Sequence, residues 1–195
     1  MSPTNKEAQA THQRLHSSQS NEWYTPPPYI EAVHTVMGGI DVDPASCALA
    51  NQVVQATTYY TLAEDGFSKD WPGRVFLNPP YGFDEKGQSN AARWSRRLIY
   101  QYQAKITLQA ILLVNAVPGN DWFGPLWDYP ICFTDHRIRF YNPAGVSNQP
   151  THSNAFVYLG EHVDRFDTIF SQFGVVAVRR SPKANTIRQL TFHEF

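Results

Sequence analysis

The sequence is poor in cysteine, with only Cys47 and Cys132 among its 195 residues and no CxxC pair. A disulfide framework needs more cysteines, and a zinc site needs closely spaced cysteine or histidine ligands. The 7 histidines also show no metal-ligand spacing with cysteines or carboxylates. We therefore expect reduced thiols, a cytoplasmic protein and no metal site.

Long apolar runs are also missing. The longest, AILLV at residues 110–114, is far shorter than the roughly 20 residues that span a membrane. Residues 1–20 are polar and have no apolar periodicity, so we expect a disordered N-terminal tail and no signal peptide. A length of 195 residues suggests a single domain, which we expect at residues 21–180, and 42% hydrophobic residues suffice for its core. We expect a C-terminal tail at residues 181–195.

The chain carries no strong excess of one charge, since its net charge is −1. The distribution is uneven: residues 1–90 hold 5 Lys/Arg and 10 Asp/Glu, whereas residues 91–195 hold 11 Lys/Arg and 7 Asp/Glu. A positive C-terminal half is compatible with affinity of one face for a polyanion, although charge alone favours ordinary solvated surfaces.

Helix and strand patterns alternate along the chain. Prolines, then apolar residues at helical spacing and two glycines predict a helix that Thr25 caps and Gly38 ends. Alternation of this kind predicts an α/β fold with a mostly parallel open sheet, and closely spaced late strands predict an antiparallel C-terminal edge. The other predicted helices are 45–56, 89–103 and 162–173, and the predicted strands are 40–43, 57–61, 74–78, 108–118, 130–133, 137–141, 154–160 and 174–178.

Polar residues follow three of the predicted strands. Asp43 and Pro44 end the first, the segment NPPY at residues 78–81 ends the buried strand RVFL, and Asn115 ends AILLV. Open α/β sheets bind ligands outside the carboxyl ends of their strands. These strand ends therefore indicate a ligand site.

The NPPY segment suits the recognition of an amino group. Pro79 and Pro80 lack N–H groups and stiffen the loop, while their carbonyls stay available as acceptors beside the Asn78 amide. Tyr81 adds a flat ring on which a base can stack. The alternative is a plain strand-ending turn, since Asn and Pro favour turns. The position of the segment after a buried strand favours the functional interpretation.

Taken in order, five segments resemble the phage-type DNA N6-adenine methyltransferases, a family of S-adenosylmethionine-dependent enzymes. The segments are NEWYTPPPYI, IDVDPAS, YYTLAEDGFSKDW, VFLNPPYG and THSNAFVYL, which together cover about residues 21 to 160. The resemblance implies a Rossmann-like class I methyltransferase fold. It also implies methyl transfer from S-adenosylmethionine to a flipped adenine in DNA.

The resemblance further implies site residues. The catalytic motif falls on Asn78, Pro79, Pro80 and Tyr81. The cofactor-binding positions comprise a segment near the methionine end, a strand end, a loop that reaches the cofactor's adenine, and two asparagines. These positions are Thr25, Pro26, Pro27, Asp43, Pro44, Ala45, Asp65, Gly66, Asn51 and Asn78.

With DNA as the expected partner, arginines in the positive half become candidate phosphate contacts. The loops at residues 82–89 and 142–153 are candidates for reading the target sequence. The resemblance also implies a protein in the cytoplasm of a bacterial or phage-infected cell. The arginines that we expect to contact DNA are Arg93, Arg96, Arg97, Arg137 and Arg139, with Arg179 and Arg180 in addition.

Two kinds of alternative stand beside this prediction. The same fold and chemistry also fit methylation of RNA, of cytosine N4 or of a protein glutamine, because NPPY occurs in glutamine methyltransferases of release factors as well. A different class is a DNA-binding module without catalysis, which an intact NPPY segment at residues 78–81 argues against.

Overall fold

The computed structural model describes residues 23–142 and 152–180. The predicted tails at 1–20 and 181–195, and loop residues 143–151, lie outside this part of the chain, and the predicted domain bounds stay a prediction. The strands are β1 Val42–Asp43, β2 Thr58–Tyr59, β3 Gly73–Leu77, β4 Thr107–Asn115, β5 Ile131–Thr134, β6 Asn154–Leu159 and β7 Gly174–Ala177. The α-helices are α1 Pro27–Met37, α2 Ala48–Val54, α3 Asn90–Gln103 and α4 Val163–Phe170.

All seven strands form one sheet in the order β2-β1-β3-β4-β6-β5-β7. The pairs β1–β2, β1–β3 and β3–β4 are parallel, whereas β4–β6, β5–β6 and β5–β7 are antiparallel. The α/β class and the antiparallel C-terminal part are therefore confirmed. Three of the six strand pairs are antiparallel, so the antiparallel part of the sheet is larger than the C-terminal edge that was predicted.

The sheet is covered on both faces. Side chains of a strand alternate between its two faces, and in β3 and β4 both sets are buried. Phe76 and Ile111 pack in a cluster with α1 and α4, while Val75 and Leu112 pack with α3. The continuous apolar runs in the sequence thus correspond to central strands that lie between two helical layers.

Helix α1 begins later than its predicted cap. Pro26 is the N-cap residue, and no side chain caps the helix. The predicted capping role of Thr25 is wrong, because its hydroxyl accepts a hydrogen bond from Asn78 instead. The C-terminal prediction is confirmed, since Gly38 adopts the left-handed conformation at φ 76° that glycine tolerates best.

The segment at residues 137–141 forms no ladder, so its prediction as a strand is wrong. Both edges of β5 are already paired, with β6 and β7. Of these five residues only Tyr141 makes a bridge, to Tyr24. Alternation persists along the segment: Ile138 is buried, and Arg137 and Arg139 are exposed.

The functional segments meet at one edge of the sheet. Strands β1, β3 and β4 are parallel, so their carboxyl ends lie at the same edge. Strand β6 runs the other way, and its first residue, Asn154, lies opposite Asn115 at the end of β4. In the described residues, no helix is long and apolar enough to cross a membrane.

Candidate active site

Asn78 follows β3 directly, and its amide is oriented by the segment before α1. Its Nδ2 donates to the Trp23 carbonyl at 3.2 Å and to Thr25 Oγ1 at 3.3 Å. Its Oδ1 is buried and has no hydrogen-bond partner. The contacts of Nδ2 fix the amide plane, so the side chain presents an acceptor without a donor.

The rest of the NPPY segment forms a rigid continuation of β3. Pro79 is buried and Pro80 is exposed. The Tyr81 hydroxyl is buried without a partner, and burial raises the pKa of this phenol. The Tyr81 and Phe140 rings meet edge to face, with centroids 6.3 Å apart. Phe140 was not among the predicted site residues, because this contact joins segments that are distant in the chain.

Unpartnered buried polar atoms gather at this edge. Among the described residues, six buried side-chain nitrogen or oxygen atoms have no partner, and three of them are Asn78 Oδ1, Tyr81 Oη and Asn154 Oδ1. Asn154 Nδ2 donates to Asn115 Oδ1 at 3.4 Å. Proteins rarely bury polar atoms without partners. The cluster indicates that a polar ligand supplies the missing hydrogen bonds.

Asp43 ends β1 as a buried carboxylate. Its side chain is 4% exposed, and burial raises its pKa to about 6. Its Oδ1 accepts a hydrogen bond from the Ala45 backbone N–H at 3.2 Å. A carboxylate that is buried at this cost, at a strand end, is a typical ligand-binding group.

The predicted cofactor loop at residues 65–66 packs directly on this strand end. A Cβ added to Gly66 would lie 2.0 Å from the Pro44 carbonyl oxygen, so only glycine fits. The Gly66 carbonyl accepts from Trp71 Nε1 at 2.8 Å. Asp65 is exposed and holds a left-handed φ of 49°. The structure thus brings residues 43–45 and 65–66 together.

Asn51 has a different environment. Its Oδ1 accepts from the Ala56 N–H at 2.9 Å, and its Nδ2 donates to the Ala56 carbonyl at 3.2 Å. Both ends of the amide therefore hold the turn after α2. The cofactor contact of Asn51 stays a prediction, and its observed hydrogen bonds are structural.

Five of the seven arginines that were predicted to contact DNA lie in two separate segments, helix α3 and residues 137–139. Arg93 and Arg97 lie on α3, where their guanidinium groups stand 4.5 and 5.4 Å from the centre of the Phe67 ring. Arg93 also pairs with Asp84 at 3.1 Å. Arg96, on the same helix, is half-buried. Two of these three arginines are thus used within the protein.

Arg137 and Arg139 lie in the segment whose Phe140 contacts Tyr81, on the opposite face of the sheet from α3. Their segment is anchored there by Ile138, which packs in the cluster of α1 and α4. An open groove of about 780 Å³ runs along it. The residues that line the groove are Pro26, Pro28, Tyr29, His136, Arg137, Arg139 and Phe173.

Asp135, His136 and Tyr29 form a series of hydrogen bonds at this groove. Asp135 Oδ1 lies 2.7 Å from His136 Nδ1, and His136 Nε2 lies 2.7 Å from the Tyr29 hydroxyl. With Nδ1 donating to the carboxylate, Nε2 of a neutral imidazole accepts from the phenol. Sequence reasoning missed this series of hydrogen bonds, because Tyr29 and His136 are 107 residues apart and no local spacing links them.

Open α/β sheets bind ligands outside the carboxyl ends of their strands, and here those ends carry unpartnered hydrogen-bond acceptors, which defines a ligand-binding α/β protein. The chain belongs to the DNA N-6-adenine-methyltransferase (Dam) family, whose model matches residues 12–163. It is therefore a DNA adenine N6-methyltransferase, and the predicted family and activity are confirmed. Membership of a methyltransferase family implies S-adenosylmethionine as methyl donor and DNA as substrate. Neither the curated proteins nor the solved structures gave a match.

Proposed function

We propose that the chain transfers a methyl group from S-adenosylmethionine to the N6 atom of an adenine that has left the DNA stack, and that Asn78, Pro79, Pro80 and Tyr81 hold this base. One observation carries the proposal: Asn78 Oδ1 is buried and unpartnered, while Asn78 Nδ2 is tied to Thr25 and Trp23. The amide is preset to accept a hydrogen bond from a ligand.

An adenine amino group offers two N–H donors. Asn78 Oδ1 accepts a hydrogen bond from one N–H, and the carbonyl oxygen of Pro79, the next residue, accepts one from the other. Holding both N–H bonds aims the nitrogen lone pair out of the plane of the base. Because the reacting nitrogen is positioned in this way, orientation supplies much of the rate enhancement. The Tyr81 ring, braced by Phe140, is the stacking partner of the base.

The residues at the neighbouring strand ends fit the cofactor. S-adenosylmethionine, when bound, supplies an electrophilic methyl group. The buried Asp43 carboxylate is a strong acceptor for a hydroxyl or ammonium donor, and at neutral pH it is ionised because its pKa is about 6. We assign Pro44, Ala45, Asp65 and Gly66 to the same cofactor, with Thr25, Pro26 and Pro27 near its methionine end.

The buried position of the acceptor supports base flipping. In a duplex the adenine N6 atom is engaged in pairing, so enzymes that modify a base extrude it into a pocket. Asn78 Oδ1 is withdrawn from solvent. We also propose a Rossmann-like class I arrangement, in which cofactor and substrate meet at the carboxyl ends of the parallel strands. DNA in the bacterial cytoplasm, or in a phage-infected cell, is the substrate that we assign.

The test is a product analysis with two variants at one position. Wild-type protein, unmethylated DNA and S-adenosylmethionine are incubated, and the digested nucleosides are identified by mass spectrometry. We expect N6-methyladenine from the wild type and a loss of about 100-fold or more in Asn78→Ala, as when a preset hydrogen-bond partner is removed. Asn78→Asp keeps the acceptor and retains more activity. Unchanged methylation by Asn78→Ala would contradict the role assigned to Asn78. N4-methylcytosine as the product would mean that the target base is cytosine.

A further inference from the structure

Phe83 lies in the loop that follows the catalytic segment, two residues after Tyr81. Its side chain is 74% exposed. Single exposed apolar side chains are common on protein surfaces. Phe83, however, lies next to the segment that we propose to receive the target base. Hydrogen bonds also order the backbone of the loop that carries it.

Asp84 organises the loop. Its Oδ1 accepts from the backbone N–H groups of Lys86 at 2.9 Å and Gln88 at 2.7 Å. Its own N–H donates to the Gln88 carbonyl at 2.9 Å, and its carbonyl accepts from the Gly87 N–H at 3.0 Å. Four hydrogen bonds to one residue close the turn, so the backbone next to Phe83 is ordered.

The loop is joined to the catalytic segment and to α3. The Asn90 N–H donates to the Gly82 carbonyl at 3.0 Å, and Phe83 bridges Ser89. Arg93 pairs with Asp84 Oδ2 while its guanidinium lies over the Phe67 ring. Arg93 is therefore a positioning residue for this loop, which accounts for a charge that sequence reasoning assigned to DNA phosphates.

We propose that Phe83 enters the base stack of the DNA at the gap that the extruded adenine leaves. The inference rests on the proposed function, which requires such a gap. Extrusion exposes the faces of the two neighbouring base pairs, and an apolar ring that covers them offsets the lost stacking. Because the loop is already ordered, the ring enters at little cost in conformational entropy.

The experiment measures binding and methylation with duplexes built around an adenine that the wild type methylates. In one duplex an abasic site replaces this adenine, so the gap is already open. We expect Phe83→Ala to bind the abasic duplex about 10-fold more weakly than the wild type, the scale of one lost stacking contact. Phe83→Trp should restore binding, because a larger aromatic ring covers the same gap.

Two comparisons separate the insertion of Phe83 into the base stack from other roles of this residue. Methylation of the same adenine in a single strand should be unchanged in Phe83→Ala, because a single strand has no duplex gap; an equal loss on both substrates means that Phe83 contacts the flipped base instead. Leu108→Ala is the matched control, since Leu108 is 66% exposed near the start of β4, at the opposite edge of the sheet. It should bind the abasic duplex as the wild type does.

A second variant guards against a direct structural effect at residue 83. Asp84→Ala releases the loop and leaves the ring, and it should also weaken binding of the abasic duplex. Equal affinities of the wild type and Phe83→Ala for that duplex would overturn the proposed insertion of Phe83 but not the proposed function. A wild type that produces no N6-methyladenine on any DNA would overturn the proposed function, whereas equal affinities beside N6-methyladenine formation by the wild type would overturn only the insertion of Phe83.

Discussion

Thr25 Oγ1 accepts a hydrogen bond at 3.3 Å from the Asn78 amide, which is 53 residues further along the chain. Thr25 is almost completely buried. The contact links the segment before α1 to the end of β3. It also holds the amide in an orientation in which Asn78 Oδ1 is buried without a hydrogen-bond partner.

Thr25→Val keeps the shape of this side chain and removes the acceptor. We expect kcat to fall about 3-fold to 10-fold, the value of one hydrogen bond, because the Asn78 amide keeps only its contact with Trp23. Steady-state methylation of DNA measures the effect. Thr25→Ser keeps the hydroxyl and should retain kcat, whereas equal rates for Thr25→Val and the wild type would remove Thr25 from the positioning of Asn78.

Gly66→Ala should disrupt the cofactor site. The added methyl group would lie 2.0 Å from the Pro44 carbonyl oxygen, which is backbone and cannot turn away. Overpacking of this kind costs about 1–3 kcal/mol of folding free energy. Moving the two loops apart should also weaken S-adenosylmethionine binding, which calorimetry measures directly.

Gly119→Ala is the matched control for this change, because a Cβ at Gly119 meets no atom within 4 Å. It should leave both the melting temperature and the affinity for S-adenosylmethionine as they are in the wild type. If Gly66→Ala bound the cofactor as tightly as Gly119→Ala, the assignment of residues 65–66 to the cofactor would be wrong.

Asp43 should make the free protein less stable as the pH rises. Burial raises the pKa of this carboxyl from 3.8 to about 6, so the folded state binds the proton more tightly than the unfolded chain does. Its stabilising contribution is complete below pH 3.8 and is lost as the pH rises through about 6. The difference corresponds to about 3 kcal/mol of unfolding free energy.

Asp43→Asn tests this, because it removes the titration and keeps the shape. Denaturant unfolding of both proteins between pH 4 and 8 gives the difference in unfolding free energy, from which groups that titrate in both cancel. We expect wild type to lose stability relative to Asp43→Asn up to about pH 6 and no further change above it. A difference that is constant with pH would mean that the pKa is not raised. The variant should also bind S-adenosylmethionine poorly, because it lacks the charge.

Local sequence patterns predicted the elements that border the site. The apolar runs of β3 and β4 and the proline-rich start of α1 are short-range signals, and each marks its element to within a few residues. The NPPY segment at residues 78–81 was placed correctly at a strand end, because proline cannot continue a ladder.

What the sequence could not predict depends on distant contacts. Residues 137–141 alternate as a strand does, and only the pairing of both β5 edges leaves them without a partner strand. Thr25 was equally able to cap a helix, and Arg93 to contact a phosphate. Their actual partners, Asn78 and Asp84, are decided by how the chain folds, and a charge or a hydroxyl in the sequence does not reveal them.

Arg139 should bind DNA phosphate, because it is exposed, lines the open groove and precedes Phe140, whose ring contacts Tyr81. Arg139→Gln removes one positive charge, so we expect weaker DNA binding that is similar for all sequences. The slope of log affinity against log salt should also fall by about one. Lys105→Gln removes the same charge between α3 and β4, at the opposite edge of the sheet, and should leave the slope as it is. Binding titrations at several salt concentrations decide the matter: equal slopes for Arg139→Gln and Lys105→Gln would mean that DNA does not follow this groove.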